Sequence, residues 1–246
     1  MAQKPWDAVG PPPLALFAQE QVRAMRELAS WRARRRLLRQ SPRGDGHPVL
    51  VMPGFLAPEF STMPLRGFLR DLCYDARGSH LGVNLGPTPK VLETLNQRLL
   101  HLADRHRRKV SLVGWSLGGI YARELARTHP ERVRMVITMG SPFADISATH
   151  AVRFIPLRPE GRPLHESEEI REALRRPLEV PTTSIYSRTD GIVHWQSCLE
   201  KPGPGRENVE VTCSHTGMGF HPEVLAVVAD RLALPEADWR PYSAAA

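Results

Sequence analysis

The stretch from Lys109 to Gly119, KVSLVGWSLGG, constrains the fold more than any other part of the chain. Val110–Val113 is a short apolar run, and Gly114 follows it at once. A helical pattern then opens at Ser116 and continues to about Thr128. A strand that passes straight into a helix returns to the next strand by a crossover, which calls for a parallel sheet. The chain must therefore hold other buried strands to flank this one.

Those strands are readable. Pro48–Met52 and Val133–Met139 are short, mostly apolar runs, Thr182–Tyr186 and Val209–Thr212 are strands rich in β-branched residues, and Cys73–Arg77 is a weaker one. Helical spacing covers Val91–Leu102 after the start signal Thr88-Pro89, a charged segment near Glu166–Arg175, and His221-Pro222 to about Leu234. The expectation is an α/β fold, a mostly parallel central sheet with helices on both faces. Residues 143–180 hold no clear strand and read as a short lid-like insertion over the carboxyl edge of the sheet, where open α/β sheets keep their sites.

The 246 residues suit one such domain over residues 47–246, with residues 1–46 as a basic N-terminal helical extension. Pro11, Pro12 and Pro13 precede a helix from about Leu14 to Arg39. Its apolar residues Val22, Met25, Leu28 and Ala29 recur at helical spacing, so the helix is expected to dock by that stripe. Its end is crowded with Arg32, Arg34, Arg35, Arg36 and Arg39, which also suits peripheral contact with an anionic membrane.

A hydrophobic share of 41% with 24% charged residues excludes collagen-like and disordered classes, and no apolar run is long enough to span a bilayer. A net charge of +7 invites a nucleic-acid reading, but no zinc finger or RNA-binding motif accompanies it. Cys73, Cys198 and Cys213 have no metal-site spacing, although a Cys198–Cys213 bridge would close a short loop. The opening MAQKPWDAVGPPP lacks a signal-peptide core, so the expected location is cytoplasmic.

Gly114, Ser116 and Gly118 fit G-x-S-x-G in the strand-to-helix context that exposes a serine hydroxyl above a sheet. A serine needs a base to take its proton and a third group to hold that base. With the partners in the order Ser, acid, His, Asp190 follows the strand Thr182–Tyr186, with Asp145 the alternative. His215 lies in a glycine-bearing loop after the last strand, with His221 the alternative. The oxyanion donors would be the backbone N–H of Leu117 and that of Phe55, where Gly54 leaves room for a carbonyl.

Four segments carry a family likeness: VLVMPGFLA (Val49–Ala57), SLVGWSLGGIYARELA (Ser111–Ala126), YSRTDGIV (Tyr186–Val193) and SHTGMG (Ser214–Gly219). Over His47 to Leu234 the chain resembles the α/β-hydrolases of the bacterial lipase and esterase kind. It departs from many of them in having Pro53-Gly54 where they have His-Gly. The resemblance implies a compact α/β-hydrolase fold and hydrolysis of a small-molecule or lipid carboxylic ester. It assigns Ser116 as nucleophile, His215 as base, Asp190 as acid, and Phe55 and Leu117 as oxyanion hole, with no metal or organic cofactor. The acyl pocket is expected to be lined by Phe55, Leu56, Trp115, Trp195 and Met218. Acyl transfer by the same triad and a non-catalytic membrane-peripheral binding protein remain the rival readings.

Overall fold

Strands β1 (Pro48–Met52), β3 (Val110–Trp115), β4 (Val133–Met139) and β5 (Thr182–Tyr186) are buried at every residue. β2 (Asp75–Gly78) and β6 (Arg206–Glu210) alternate or stand half-exposed. Continuous burial belongs to strands covered on both faces, and the partly wet pair belongs at the edges. The computed structural model, which describes residues 9–38, 40–151 and 168–243, has that arrangement. The six strands run in the order β2-β1-β3-β4-β5-β6, and every pairing is parallel.

The helices divide between the two faces by strand alternation. Val49, Val51 and Val113 join one core cluster with α2 (Met63–Asp71), α6 (Pro222–Leu232) and Leu38 of α1 (Leu14–Leu38). Leu50, Met52 and Leu112 face the other way, against α3 (Pro89–His106) and α4 (Leu117–Thr128). Thr88 caps α3 by accepting the Val91 N–H at 3.2 Å, the start signal read from the sequence. Among the described residues no helix is long and apolar enough to cross a membrane.

Leaving β1 the chain moves outward to β2, then crosses back to β3 on the other side of β1. The crevice at the carboxyl ends of β1 and β3 is thus a topological switch point, the place where open α/β sheets bind ligands. The loop after β1 begins at Pro53 and the helix after β3 begins at Leu117, so both flank it.

Some expectations need correction. β2 begins at Asp75, because Cys73 sits at φ 74° in the preceding turn. β6 covers Arg206–Glu210, earlier than Val209–Thr212; at an edge only Val209 is buried, so the strand has no apolar run to announce it. The charged segment of the insertion forms α5 (Glu168–Arg175), whereas residues 152–167 of the expected lid lie outside the described residues, as does Arg39 after α1. Cys198 and Cys213 are buried free thiols, so the bridge is not formed.

The largest correction concerns α1. Val22 and Met25, expected to dock it, are 53% and 72% exposed, whereas Glu20 is 2% exposed. The helix packs on α6 and on the 216–219 turn through Glu20, Ala24 and half-buried Arg23, Glu27 and Trp31. Charged side chains form the buried edge because they meet backbone polar groups there, which an apolar stripe could not satisfy.

Candidate active site

Ser116 stands at φ 55°, ψ −122°, between the last residue of β3 and the first of α4. Such a conformation is disfavoured for a residue with a Cβ and persists only where its surroundings impose it. Here the Ser116 N–H donates to the Met139 carbonyl at 2.8 Å, tying the turn to the end of β4. The glycines supply the space: a Cβ on Gly114 would collide with the backbone of Gly118 and Gly119, and one on Gly118 with the Met52 carbonyl. The motif therefore brings β3, α4 and the end of β1 within backbone contact of one another.

The loop after β1 lies against this turn, since a Cβ on Gly54 would stand 3.1 Å from the Ser116 Cβ and 3.7 Å from its Oγ. Asn84, fully buried, fixes that loop from behind. Its side-chain N–H donates to the Pro53 carbonyl at 3.0 Å, its Oδ1 accepts the Tyr121 hydroxyl at 3.1 Å, and its carbonyl accepts the Leu56 N–H at 2.7 Å. Nothing in the sequence around Asn84 marked this role, because its partners come from two other elements.

His215 and Asp190 meet at the carboxyl side of β5 and β6. The ring Nδ1 lies 2.7 Å from Asp190 Oδ2, and both side chains are nearly sealed from solvent. Asp190 Oδ1 accepts the N–H groups of Ile192 and Val193, each at 2.8 Å. Trp115 donates its indole N–H to the His215 carbonyl at 3.1 Å, which ties the His215 loop to β3. Burial of the imidazole works to lower its pKa. Attraction to Asp190, the hydrogen bond between them and a further carboxylate, Glu20, outweigh that effect and raise it above 6.5.

Of the alternatives, Asp145 Oδ1 accepts the N–H and hydroxyl of Ser147 at 3.0 and 2.6 Å, closing a local turn. His221 is the residue before α6, half-buried, with its backbone N–H on the Gly217 carbonyl at 2.8 Å and its ring Nδ1 without a hydrogen-bond partner among the described residues.

Ser116 opens into a cavity of about 200 Å³ with an almost wholly apolar wall that includes Phe55, Leu92, Leu117, Ile120 and Ile146. Of the five expected pocket residues only Phe55 lines it. Leu56 points outward at 55% exposure, and Met218 is sealed in the core. Trp195 stacks on Tyr186 under the Arg188 guanidinium, and Trp115 lies behind His215. The wall comes instead from α3, α4 and the start of the insertion, whose inward faces depend on how they cross the sheet.

A hydrogen-bonded Asp-His-Ser chain lies at the opposite end of the sheet. His47 Nδ1 is 2.5 Å from Asp45 Oδ1, and its Nε2 is 2.8 Å from Ser111 Oγ. Ser111 and His47 are fully buried, and burial pushes the His47 pKa down to about 4. A hydroxyl that no substrate can approach is not a nucleophile, so this group ties β1 to β3.

Comparison with known proteins bears on the fold. A family model for the alpha/beta hydrolase fold matches residues 95–163. The chain is 30% identical over 117 residues to the pimeloyl-[acyl-carrier protein] methyl ester esterase of Klebsiella pneumoniae (strain 342), covering 47% of this chain and 44% of that protein. The match thus spans less than half the length of that curated relative. Among solved structures, Aspergillus fumigatus lipase B superposes with a TM-score of 0.61 at 20% identity, over 77% of this chain and 53% of that one. Bacillus licheniformis lipase BlEst2 superposes with a TM-score of 0.58 at 14% identity, over 79% of this chain and 95% of that one. With the parallel sheet, its switch point and the turn at Ser116, these likenesses establish that the chain has the α/β-hydrolase fold.

Proposed function

We propose that the protein is a serine hydrolase that cleaves carboxylic esters through an acyl-enzyme. Ser116 Oγ attacks the ester carbonyl carbon while its proton passes to Nε2 of His215. Asp190 holds the ring by Nδ1 and balances the charge it acquires. The carbonyl oxygen, now negative, is held by the backbone N–H groups of Phe55 and Leu117. Collapse of the intermediate breaks the bond to the alcohol, which leaves with the proton from His215. Water then attacks the acyl-enzyme, giving a proton to His215, and the acid departs as Ser116 regains its hydrogen.

The observation that carries the proposal is the position of Ser116, strained at φ 55° and lining the apolar cavity. The likeness to a methyl ester esterase, 30% identical over 117 residues, supports an ester over other substrates. The apolar wall beside Ser116 suits an aliphatic acyl group. Turnover of p-nitrophenyl esters from acetate to palmitate tests this. The expected outcome is a higher kcat/KM for longer aliphatic acyl esters than for acetate, and a preference for acetate would contradict it.

The outward face of α1 supports one addition. Val22 and Met25 are exposed there beside exposed Arg26, a patch suited to an anionic lipid surface. Co-sedimentation with phosphatidylserine vesicles, lost in Val22→Glu/Met25→Glu, is the expected outcome; equal sedimentation of both proteins would remove it.

A further inference from the structure

The helix that lies outside the family likeness reaches into both loops of the acid–base pair. We infer that Glu20 is a positioning residue for hydrolysis, a single buried carboxylate that fixes the loops of Asp190 and His215 relative to one another. Its Oε1 accepts the Gly191 N–H at 2.7 Å and the His215 N–H at 3.1 Å, and its Oε2 accepts the Thr216 N–H at 3.2 Å. Gly191 follows Asp190 directly, so the two loops, 25 residues apart at their titrating ends, share one anchor. The inference rests on the assignment of Asp190 and His215 as acid and base.

Three features set this apart from incidental packing. A buried carboxylate is unfavourable unless its oxygens are hydrogen-bonded, and here three backbone donors converge on a residue that is 2% exposed. The neighbouring side chains on the same edge of α1 grip the same two loops. Arg23 donates to the Thr189 carbonyl and, at 2.8 Å, to its hydroxyl, while Glu27 accepts the Ser214 N–H at 2.8 Å and the Ser214 hydroxyl. Both loops also leave room for α1. A Cβ on Gly191 would lie 2.5 Å from the Leu16 carbonyl, and one on Gly217 would collide with the Glu27 carboxylate.

Geometry and charge act together. Without Glu20 three buried N–H groups lose their acceptor and the loops can drift, and misplacement of about 1 Å can lower a rate on the order of 10²-fold. The negative charge also favours the imidazolium. The charged groups facing the ring are Asp190 on the β5 loop and Glu20 on α1. Arg23 and Glu27 stand beside them on Thr189 and Ser214, and Glu223 of α6 is engaged by the Thr212 N–H at 3.2 Å.

The test is Glu20→Gln in the full chain, with p-nitrophenyl hexanoate as substrate and His215→Ala and exposed Glu131→Gln as controls. The expected result is a folded enzyme with kcat about tenfold or more lower, KM within about twofold, and an acid limb of kcat/KM at lower pH. Glu20→Asp, which keeps the charge but shortens the reach, should lower kcat while leaving that limb near its original pH. Folded Glu20→Gln with the parent kcat and pH profile would overturn the inference, while loss of turnover in His215→Ala would leave the underlying assignment standing. Turnover surviving in His215→Ala would instead remove that assignment. If Glu20→Gln does not fold, Glu20→Asp decides; failure of both to fold assigns Glu20 a purely structural role and overturns the inference.

Discussion

Asp190 holds His215 with one carboxylate oxygen and its own loop with the other. Oδ2 meets the ring Nδ1 at 2.7 Å, and Oδ1 accepts two backbone N–H groups at 2.8 Å. Asp190 is thereby fixed in position where it meets the ring. Asp190→Asn retains the size but offers Nδ1 an amide, which favours the wrong tautomer. A loss of about 10³–10⁴-fold in kcat is expected, with KM little changed. A loss under tenfold would move the acid role to another residue, Asp145 first.

The pH profile follows from the raised pKa of His215. A base must be neutral to take a proton, and a raised pKa keeps the ring charged to higher pH. The acid limb of kcat/KM is therefore expected above the ordinary 6.5. The same shift makes the charged ring a stabilising group, fully so below its unfolded pKa and lost as pH rises through the folded value. An acid limb at or below 6.5 would contradict the geometry.

Gly118 has no room for a side chain, and the obstacle is the backbone of Met52 rather than a rotatable group. Gly118→Ala must push β1 and α4 apart, at about 3 kcal/mol, near the upper end for overpacking. In a chain of this size that corresponds to a Tm lower by about 6–12 °C, read by calorimetry. Activity should fall with it, because the same displacement moves Phe55 away from Ser116.

The buried Asp45-His47-Ser111 chain gives a contrasting forecast. His47 is neutral in the fold down to about pH 4, held so chiefly by burial and by repulsion from Arg134 and Arg108, against the pull of Asp45. The unfolded chain binds the proton near 6.5, so this group withdraws stability as pH falls from 6.5 towards 4. Ser111→Ala should lower stability by about 1–3 kcal/mol by orphaning the His47 nitrogen, with ester turnover intact. Loss of turnover at full stability would contradict its structural role.

What the sequence made legible divides along physical lines. β1, β3 and β4 were readable because strands buried on both faces are mostly apolar, β5 because it is rich in β-branched residues, and Gly114, Ser116 and Gly118 because tight turns admit few residues. The His215–Asp190 pairing seen in the structure was expected from chain order. β6 was displaced because an edge strand needs only Val209 inside. The docking of α1 was misread because its buried edge is charged, and its partners Gly191, Ser214, His215 and Thr216 lie more than 170 residues further on. Leu92 and Ile120 are not legible as cavity residues because a helical pattern does not say which inward residue meets a cavity rather than the core.

Intact-mass analysis after exposure to a fluorophosphonate probe tests whether Ser116 is the nucleophile. The expected result is a single adduct on the folded protein, mapped to Ser116, absent in Ser116→Ala and retained in Ser111→Ala. An unlabelled folded protein, or an adduct that survives Ser116→Ala, would contradict it.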